Sequence, residues 1–235
     1  MSVLPELADL EALRVFDTPT ICNALDVVAP ARRAFGFNRR PLVAPFITAR
    51  PVVAFARTAT IRSREPDARD PRDAGKRTLA YYEHIAAGPK PSLAVIQDLD
   101  GPDIGLGAFW GEVNSNLHKG LGCAGVITDG AVRDLDLWAK DFFVLAGSIM
   151  PSHVHVHVVD VGTVVSVAGM IVSPNDVIHA DRHGAVVVPA EVVKLVPAAA
   201  DLIARREKVL IDASRSPGFS IDRLRQAFAE MSEIH

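Results

Sequence analysis

Three residues of this chain are of types that bind small acids and metal ions. Arg133 and Asp134 are adjacent, and Glu112 lies upstream of them. The planar guanidinium of arginine binds a carboxylate through paired hydrogen bonds, and carboxylate oxygens are ligands of hard divalent cations. Together these residues could bind a small carboxylic acid beside a metal ion. The alternative is a plain surface ion pair between Arg133 and Asp134, because Asp-Gly turns followed by charged residues are common at strand ends.

The chain around Glu112 is rich in glycine. Gly111 directly precedes Glu112, and Gly105 and Gly107 lie shortly before it. The pattern predicts a helix over residues 112–121, whose first N–H groups lack partners within the helix. These groups and the helix dipole favour a bound carboxylate or phosphate, and glycines let the backbone approach a ligand closely. The start of this helix is therefore a candidate anion site.

A buried strand is expected to position Arg133 and Asp134. Residues 124–128 are apolar, and the motif Asp129-Gly-Ala-Val-Arg-Asp leaves their carboxyl end. Proteins with α/β folds place ligands at the carboxyl ends of strands. If this loop is irregular, both side chains can face one pocket.

The rest of the chain alternates between strand and helix patterns. Predicted strands cover residues 51–61, 92–97, 124–128 and 142–145. Predicted helices cover residues 18–28, 78–87, 112–121, 135–140, 191–211 and 221–231. Residues 153–188 are rich in Val, Ile and Thr and predict a further run of strands. The order predicts an α/β fold with helices around a mixed β core and extra helices at both termini.

The chain shows no internal repeat and no low-complexity linker, so residues 1–235 are predicted to form a single domain with an N-terminal helix and a C-terminal helical arm. Residues 62–77 are dense in charge and contain two prolines. We interpret this segment as an exposed loop or a lid.

Composition excludes several classes of function. The net charge is -3 and the isoelectric point is near 6.2, which gives no basic footprint for nucleic acid. Cys22 and Cys123 are far apart in sequence, as expected for reduced thiols in a cytoplasmic protein. The N-terminus lacks the features of a secretory signal, and no apolar run reaches membrane-spanning length, so we expect no membrane association.

Several motifs together resemble the RraA-like superfamily, which includes class II 4-hydroxy-4-methyl-2-oxoglutarate aldolases. The superfamily pattern is Gly-[Asp/Glu], twenty residues and Arg-Asp, and here Gly111-Glu112 precedes Arg133-Asp134 by twenty residues. Other matching motifs are Gly122-x-x-Gly125-x-x-x-Asp129-Gly-Ala-Val-Arg-Asp and Asp181-Arg-His-Gly-Ala-Val-Val-Val-Pro189. The matching motifs occur in the expected order, and the resemblance extends from Thr18 through the C-terminal helices.

The resemblance implies a swivelling β/β/α fold and a homotrimer or hexamer with sites near subunit interfaces. It implies Mg²⁺ or Mn²⁺ held by Asp134, mostly through waters, and Arg133 against a pyruvate moiety. It also implies that Glu112 supports a water on the metal, and that an acidic residue of a neighbouring subunit completes the site. The substrate carboxylate would meet the backbone N–H groups of the turn formed by Gly111, Glu112, Val113 and Asn114.

These implications predict a metal-dependent lyase that acts on small 2-oxo acids. Aldol cleavage of a 4-hydroxy-2-oxo acid and decarboxylation of oxaloacetate would both pass through a pyruvate enolate, which the metal and Arg133 stabilise. The alternative is a non-catalytic regulator that binds a ribonuclease or another protein, as the superfamily's namesake members do. A methyltransferase is disfavoured because the chain has no Gly-x-Gly-x-Gly loop after a first strand.

Three histidines alternate with valine at His153, His155 and His157. On a strand all three imidazoles would share one face. A zinc site is one interpretation, and a half-buried strand that faces solvent or an oligomer interface is the other.

Overall fold

A computed structural model describes residues 4–235. The helices are α1 (Leu7–Leu13), α2 (Thr18–Val28), α3 (Ala74–Ala86), α4 (Glu112–Gly120), α5 (Val196–Arg215) and α6 (Ile221–Ser232). The strands are β1 (Val52–Arg62), β2 (Ser92–Asp98), β3 (Ala108–Trp110), β4 (Cys123–Thr128), β5 (Ala131–Val132), β6 (Phe143–Leu145), β7 (Ser148–Ile149), β8 (His157–Val161), β9 (Val165–Val167), β10 (Met170–Val172), β11 (Val177–Asp181) and β12 (Gly184–Val188).

A seven-stranded mixed sheet forms the centre of the fold. Its order is β12-β11-β1-β2-β4-β6, and β8 pairs with the second half of β1. Strands β1, β2, β4 and β6 run parallel to one another. Strands β8, β11 and β12 are antiparallel to their neighbours. Parallel neighbours need a crossover connection, and α3 and α4 lie in the two connections between β1, β2 and β4. The predicted α/β class with a mixed β core is confirmed.

The central strand β1 is buried on both faces, as its near-continuous apolar sequence predicts. Successive side chains of a strand point to opposite faces. Ala54 and Ala56 belong to one core cluster, which includes residues of β9 and β10. On the other face, Phe55 packs in a cluster with α1, α2 and α5, and Ile61 packs in a cluster with α3. The terminal helices therefore cover one end of this face and α3 covers the other.

Three strands of the central sheet are each followed along the chain by a strand of a second, small parallel sheet. The small sheet has the order β3-β5-β7, and its strands follow β2, β4 and β6 along the chain. The links from β4 to β5 and from β6 to β7 are only two residues long, Asp129-Gly130 and Ala146-Gly147. A Cβ atom on Gly147 would collide with the backbone carbonyl of Asp129, so the crossing of the two links requires glycine there.

Two sequence predictions within this region are wrong. Residues 135–140 do not form an α-helix, because only a single 3₁₀ turn covers Leu135–Leu137 and Trp138 is already extended. His153, His155 and His157 do not lie together on one strand. Val154 takes a left-handed conformation with φ of 47°, and only His157 enters β8.

Other elements differ from the predictions in extent. Helix α3 begins four residues earlier than predicted, so the exposed segment between β1 and α3 is shorter. Helix α5 begins at Val196 after a 3₁₀ turn and extends to Arg215, with a proline in its first turn. Such a proline is favourable there because the first N–H groups of a helix are unpaired in any case. Among residues 4–235, no helix is long and apolar enough to span a membrane.

Candidate functional site

The small sheet brings the two predicted motifs to one edge. β3 and β5 are parallel neighbours with Trp110 opposite Val132. The N–H group of Arg133 donates to the carbonyl of Trp110 at 2.8 Å. Gly111-Glu112 follows β3, and Arg133-Asp134 follows β5. Because adjacent parallel strands end at the same edge, the two motifs are neighbours in space although twenty residues separate them in sequence.

Asp134 is fixed by both its backbone and its side chain. Its backbone is left-handed, with φ of 54° and ψ of 41°, a conformation that aspartate tolerates better than most residues. Its Oδ2 atom accepts a hydrogen bond from the N–H group of Glu112 at 3.3 Å. This places the carboxylate at the start of α4, where the helix dipole favours negative charge. About a third of the side chain, 35 %, stays exposed and can reach solvent or an ion.

Gly111 allows Arg133 and Asp134 to lie against the start of α4. A Cβ atom at Gly111 would lie 3.2 Å from Cγ of Arg133 and would collide with the Asp134 carboxylate. Its φ of -162° is extended, so close approach rather than backbone conformation requires glycine here. Arg133 stays half-exposed, with its Nε atom 3.6 Å from Oδ2 of Asp134. The guanidinium therefore has free donors for an incoming carboxylate.

The first turn of α4 offers backbone donors beside these side chains. The first intrahelical bond runs from the Ser115 N–H group to the Gly111 carbonyl. The Glu112 N–H group is occupied by Asp134, and the side chains of Glu112 and Val113 are exposed. For the N–H groups of Val113 and Asn114, residues 4–235 supply no hydrogen-bond acceptor. These two groups are free to bind a ligand.

The side chain of Asn114 is engaged inside the protein. Its Oδ1 atom accepts from the Tyr82 hydroxyl at 2.5 Å, and its Nδ2 atom donates to the Phe109 carbonyl at 2.5 Å. Asn114 can therefore meet a substrate only through its backbone. The Tyr82 contact also ties the first turn of α4 to α3.

A buried histidine, His118, contacts the same turn of α4 from inside the protein. His118 is fully buried and its ring lies 4.3 Å from that of Trp110. Its Nδ1 atom is 2.6 Å from the Asn114 carbonyl and its Nε2 atom is 2.7 Å from the Tyr81 hydroxyl. A carbonyl can only accept, so Nδ1 carries the proton and Nε2 accepts from Tyr81. Burial lowers the pKa of His118 to about 4, so the ring is neutral at pH 7.

Two buried aspartates, Asp98 and Asp129, bind backbone N–H groups where β2 and β4 end, and the sequence did not predict this role. Asp98 accepts from the N–H groups of Asp100 and Gly105, at 3.0 and 2.9 Å. Asp129 accepts from the N–H groups of Asp98 and Ala168, at 2.9 and 3.2 Å. Burial raises the pKa of both carboxyl groups. The turn-rich composition after β2 and β4 was the available signal, but it did not show that these side chains turn inward.

The site suits a hard cation that keeps most of its waters. Within the described residues 4–235, no group of three or more His, Cys, Asp or Glu side chains could hold a metal ion. Mg²⁺ in proteins commonly uses one or two carboxylates and several waters. The half-exposed carboxylate of Asp134 fits that requirement. The histidines at residues 153–157 do not form a zinc centre of three ligands.

Exposed apolar side chains lie on the segments next to the site. They come from α4, from the 3₁₀ turn after Asp134 and from the end of β7, and they are Val113, Leu137, Ile149 and Met150. Contiguous exposed apolar surface marks interaction sites more often than free surface.

The sequence matches the RraA-like family, described as Aldolase/RraA, over residues 18–187, which is more than half of the chain. The chain belongs to this family. The match includes every residue of the candidate site. The resemblance inferred from the Gly-Glu and Arg-Asp motifs is thus confirmed at the level of the family.

Solved structures of similar fold support the membership. An uncharacterized protein from Pseudomonas syringae pv. tomato has a TM-score of 0.71 at 21 % identity, covering 98 % of this chain and 97 % of that one. Streptomyces coelicolor RraAS2, an unusual member of the RNase ES inhibitor RraA protein family, has a TM-score of 0.69 at 19 % identity, covering 88 % and 98 %. At these identities the likeness shows the RraA-like fold.

A curated relative is similar over a shorter stretch. It is an uncharacterized protein of Methanocaldococcus jannaschii, 36 % identical over 86 residues. The aligned part covers 36 % of this chain and 41 % of the relative, so this chain matches less than half of that protein's length. RraA-like proteins include aldolases as well as inhibitors of ribonucleases.

Proposed function

We propose that this RraA-like protein is a divalent-metal-dependent lyase that cleaves or decarboxylates small 2-oxo acids. The observation that supports the proposal is the placement of Arg133, Asp134 and the free N–H groups of α4 at one sheet edge. A guanidinium, a carboxylate and backbone donors in one place are the groups that bind a 2-oxo carboxylate beside a cation.

The protein's own residues would bind and orient the substrate. The N–H groups of Val113 and Asn114 bind the substrate carboxylate, aided by the dipole of α4. Arg133 binds the 2-oxo oxygen and stabilises the negative charge that develops on it. Mg²⁺ or Mn²⁺ held by Asp134 would supply a Lewis acid for the same oxygen.

Aldol cleavage then needs one proton to move. The C3–C4 bond breaks and its electron pair moves toward the 2-oxo oxygen, which gives the enolate of pyruvate. The 4-hydroxyl becomes a carbonyl and loses its proton, which Glu112 holds through a bridging water and returns to C3. In oxaloacetate decarboxylation the lost group is carbon dioxide, so only the protonation of C3 is needed.

We further propose that a homotrimer or hexamer completes the site. Val113, Leu137, Ile149 and Met150 expose apolar surface around Asp134. A neighbouring subunit that covers this rim would exclude water from the developing charge, and electrostatic interactions strengthen when water is excluded.

The test is pyruvate release from 4-hydroxy-2-oxo diacids and from oxaloacetate, with Mg²⁺, with Mn²⁺ and with a chelator. We expect release with metal and none with chelator. Asp134→Asn keeps a residue that tolerates the left-handed backbone but removes the charge. It should lower turnover at least a hundredfold and weaken Mn²⁺ binding at least tenfold.

Asp136→Asn is the matched control, because Asp136 is exposed two residues further along. It should leave turnover unchanged. Unchanged turnover in Asp134→Asn would rule out the metal role of Asp134. If no 2-oxo acid releases pyruvate under any condition while the protein binds no divalent metal, the lyase proposal fails and the regulator alternative stands.

A further inference from the structure

A groove of about 470 Å³ lies beside β3, and its lining includes Asn114 but neither Arg133 nor Asp134. One wall is the segment 66–78, and the other is the turn and strand at residues 153–158. Phe109 and Tyr82 lie at its floor. Its volume falls within the range of small-molecule sites.

The walls of the groove carry a surplus of positive charge. Arg69 and Arg77 line it, and Asp67 is the acidic residue that lines it. Asp67 accepts from Arg69 at 2.8 and 2.9 Å and from Arg77 at 3.1 Å. The Arg69 contact holds the pKa of Asp67 well below its usual range, so this carboxyl stays ionised. Two guanidinium groups against one carboxylate leave the groove cationic.

The two arginines are also held in place by the backbone. Arg69 donates to the carbonyls of Val158 and Val159, at 2.5 and 3.3 Å. Arg77 donates to the Asp70 carbonyl at 3.0 Å. Each guanidinium has five N–H donors, so both retain donors after these contacts. Because the protein already holds these donors in place, a ligand does not have to offset the entropy cost of ordering them.

The floor of the groove is aromatic. Tyr82 and Phe109 are each partly exposed, and both rings stand near the ring of Tyr81, at centroid distances of 5.3 and 5.6 Å. Partly exposed aromatic faces favour a flat apolar ligand. The floor thus provides contacts that a bare inorganic anion cannot use.

The turn that contains Val154, at the edge of the groove, has a strained backbone, and we call its histidines His153 and His155 the histidine rim. Val154 has a φ of 47°, which is costly for a β-branched residue. His153 Nδ1 lies 2.7 Å from the Val154 carbonyl, which can only accept, so its Nε2 atom is left to face solvent or a ligand. His155 is exposed and lines the groove. Backbone strain of this kind persists where surrounding structure enforces it, and ligand clamps are among such places.

We propose that this groove binds a small aromatic carboxylate. The carboxylate would lie against Arg77 and the histidine rim, and the ring would lie on Tyr82 and Phe109. The proposal does not depend on the lyase activity, because Arg77, Tyr82 and Phe109 take no part in the proposed reaction. Asn114 lines the groove as well, but it meets the other site only through its backbone N–H group. It adds a second ligand site that the family membership does not assign.

The test is calorimetric titration of the full chain with 2-naphthoate, with its neutral analogue 2-naphthalenemethanol and with inorganic phosphate. We expect 2-naphthoate to bind at least tenfold more tightly than either of the others. Thr78→Trp places a bulky ring in the groove from the exposed face of α3 and should abolish binding. Leu79→Trp is the matched control, because Leu79 is exposed on the same helix outside the groove, and it should bind as the wild type does.

A charge variant tests the role of the histidine rim of the groove. His155→Glu should weaken 2-naphthoate binding about tenfold through like-charge repulsion, whereas His235→Glu, the same change at the exposed C-terminus, should leave it unchanged. Equal affinity for phosphate and 2-naphthoate would overturn the aromatic class. No binding of 2-naphthoate, or equal binding by Thr78→Trp and Leu79→Trp, would overturn the site.

Discussion

Gly111 shows how one missing side chain shapes the candidate site. The absence of a Cβ atom lets Arg133 and Asp134 pack directly on the first turn of α4. We predict that Gly111→Ala displaces the Asp134 carboxylate and lowers pyruvate release tenfold to a hundredfold. The free energy of unfolding should change by less than about 1 kcal/mol, because the half-exposed side chains can move aside. Turnover and denaturant unfolding of the same preparation measure both quantities.

Gly120→Ala provides the comparison on the same helix. No atom lies within 4 Å of the position where its Cβ would stand. This variant should keep full activity and equal or slightly higher stability, because alanine favours a helix over glycine. Similar activity in both variants would show that Gly111 is not needed for the close approach.

At the scale of elements, Arg57 joins β1 to the end of α3. It is a buried arginine that donates to the His84 carbonyl at 3.0 and 2.7 Å and to Oδ1 of Asn175 at 3.0 Å. Burial lowers the pKa of its guanidinium. Among residues 4–235, no carboxylate lies within ion-pair distance of Arg57, so the His84 carbonyl in the last turn of α3, the His84 imidazole and the Asn175 amide satisfy its donors.

We predict that Arg57→Met lowers the free energy of unfolding by about 1–3 kcal/mol, because three partly buried acceptors, the His84 carbonyl, His84 Nδ1 and Asn175 Oδ1, lose their donor. Arg62→Met is the matched change on the same strand. The Arg62 side chain is half-exposed and its ion pair with Asp100 is long, at 3.9 Å. It should change stability by less than about 0.5 kcal/mol. Denaturant unfolding of both variants decides whether the buried contacts of Arg57 matter.

Most elements could be predicted from local signals, and the errors occurred where long-range contacts decide the conformation. The predicted helix over residues 18–28 is present as α2, and the Asp17 side chain caps it by accepting from the Thr20 N–H group at 2.9 Å. The predicted helix after Asp134 failed because the left-handed Asp134 and the hydrogen bond from Ala139 to Ser115 direct the chain elsewhere. Neither effect is visible in the hydrophobic pattern of the segment.

The candidate site was predictable as a set of residues but not as an arrangement. The number of residues between Glu112 and Arg133 does not predict their distance in space. That distance depends on the pairing of β3 with β5 in a sheet of two-residue and three-residue strands. Such short strands have no periodic signal of their own. The engagement of the Asn114 side chain by Tyr82 depends on α3 packing beside α4, which no local pattern in either segment indicates.

At the scale of the whole molecule, two buried histidines make stability depend on pH. His118 joins α4 to α3. His179 lies between Thr18, whose Oγ1 is 3.0 Å from Nδ1, and the Phe16 carbonyl, which is 3.1 Å from Nε2. Burial lowers the pKa of each histidine to about 4. An unfolded chain binds these protons near the ordinary pKa of 6.5, so it takes up more protons than the folded chain between pH 6.5 and pH 4.

The stability contributed by each neutral imidazole is therefore complete above pH 6.5 and is lost as the pH falls toward 4. Each should contribute a slope of about 1.4 kcal/mol per pH unit in that window. We predict that His118→Gln reduces the slope of unfolding free energy against pH by about 1 kcal/mol per unit. His235→Gln, at the exposed C-terminus, should not change the slope. Identical slopes for His118→Gln and wild type would show that the imidazole is not buried in neutral form.

The groups of the candidate site all come from one continuous stretch, residues 111–134, and the pairing of β3 with β5 brings the two motifs to a single edge. The groove walls at residues 66–78 and 153–158 come from other parts of the sequence. Substitutions in those segments can therefore alter which molecules bind beside the edge without altering the candidate site itself. A scaffold of this kind can diversify in specificity, or lose catalysis and keep a partner, through changes in separate parts of its sequence.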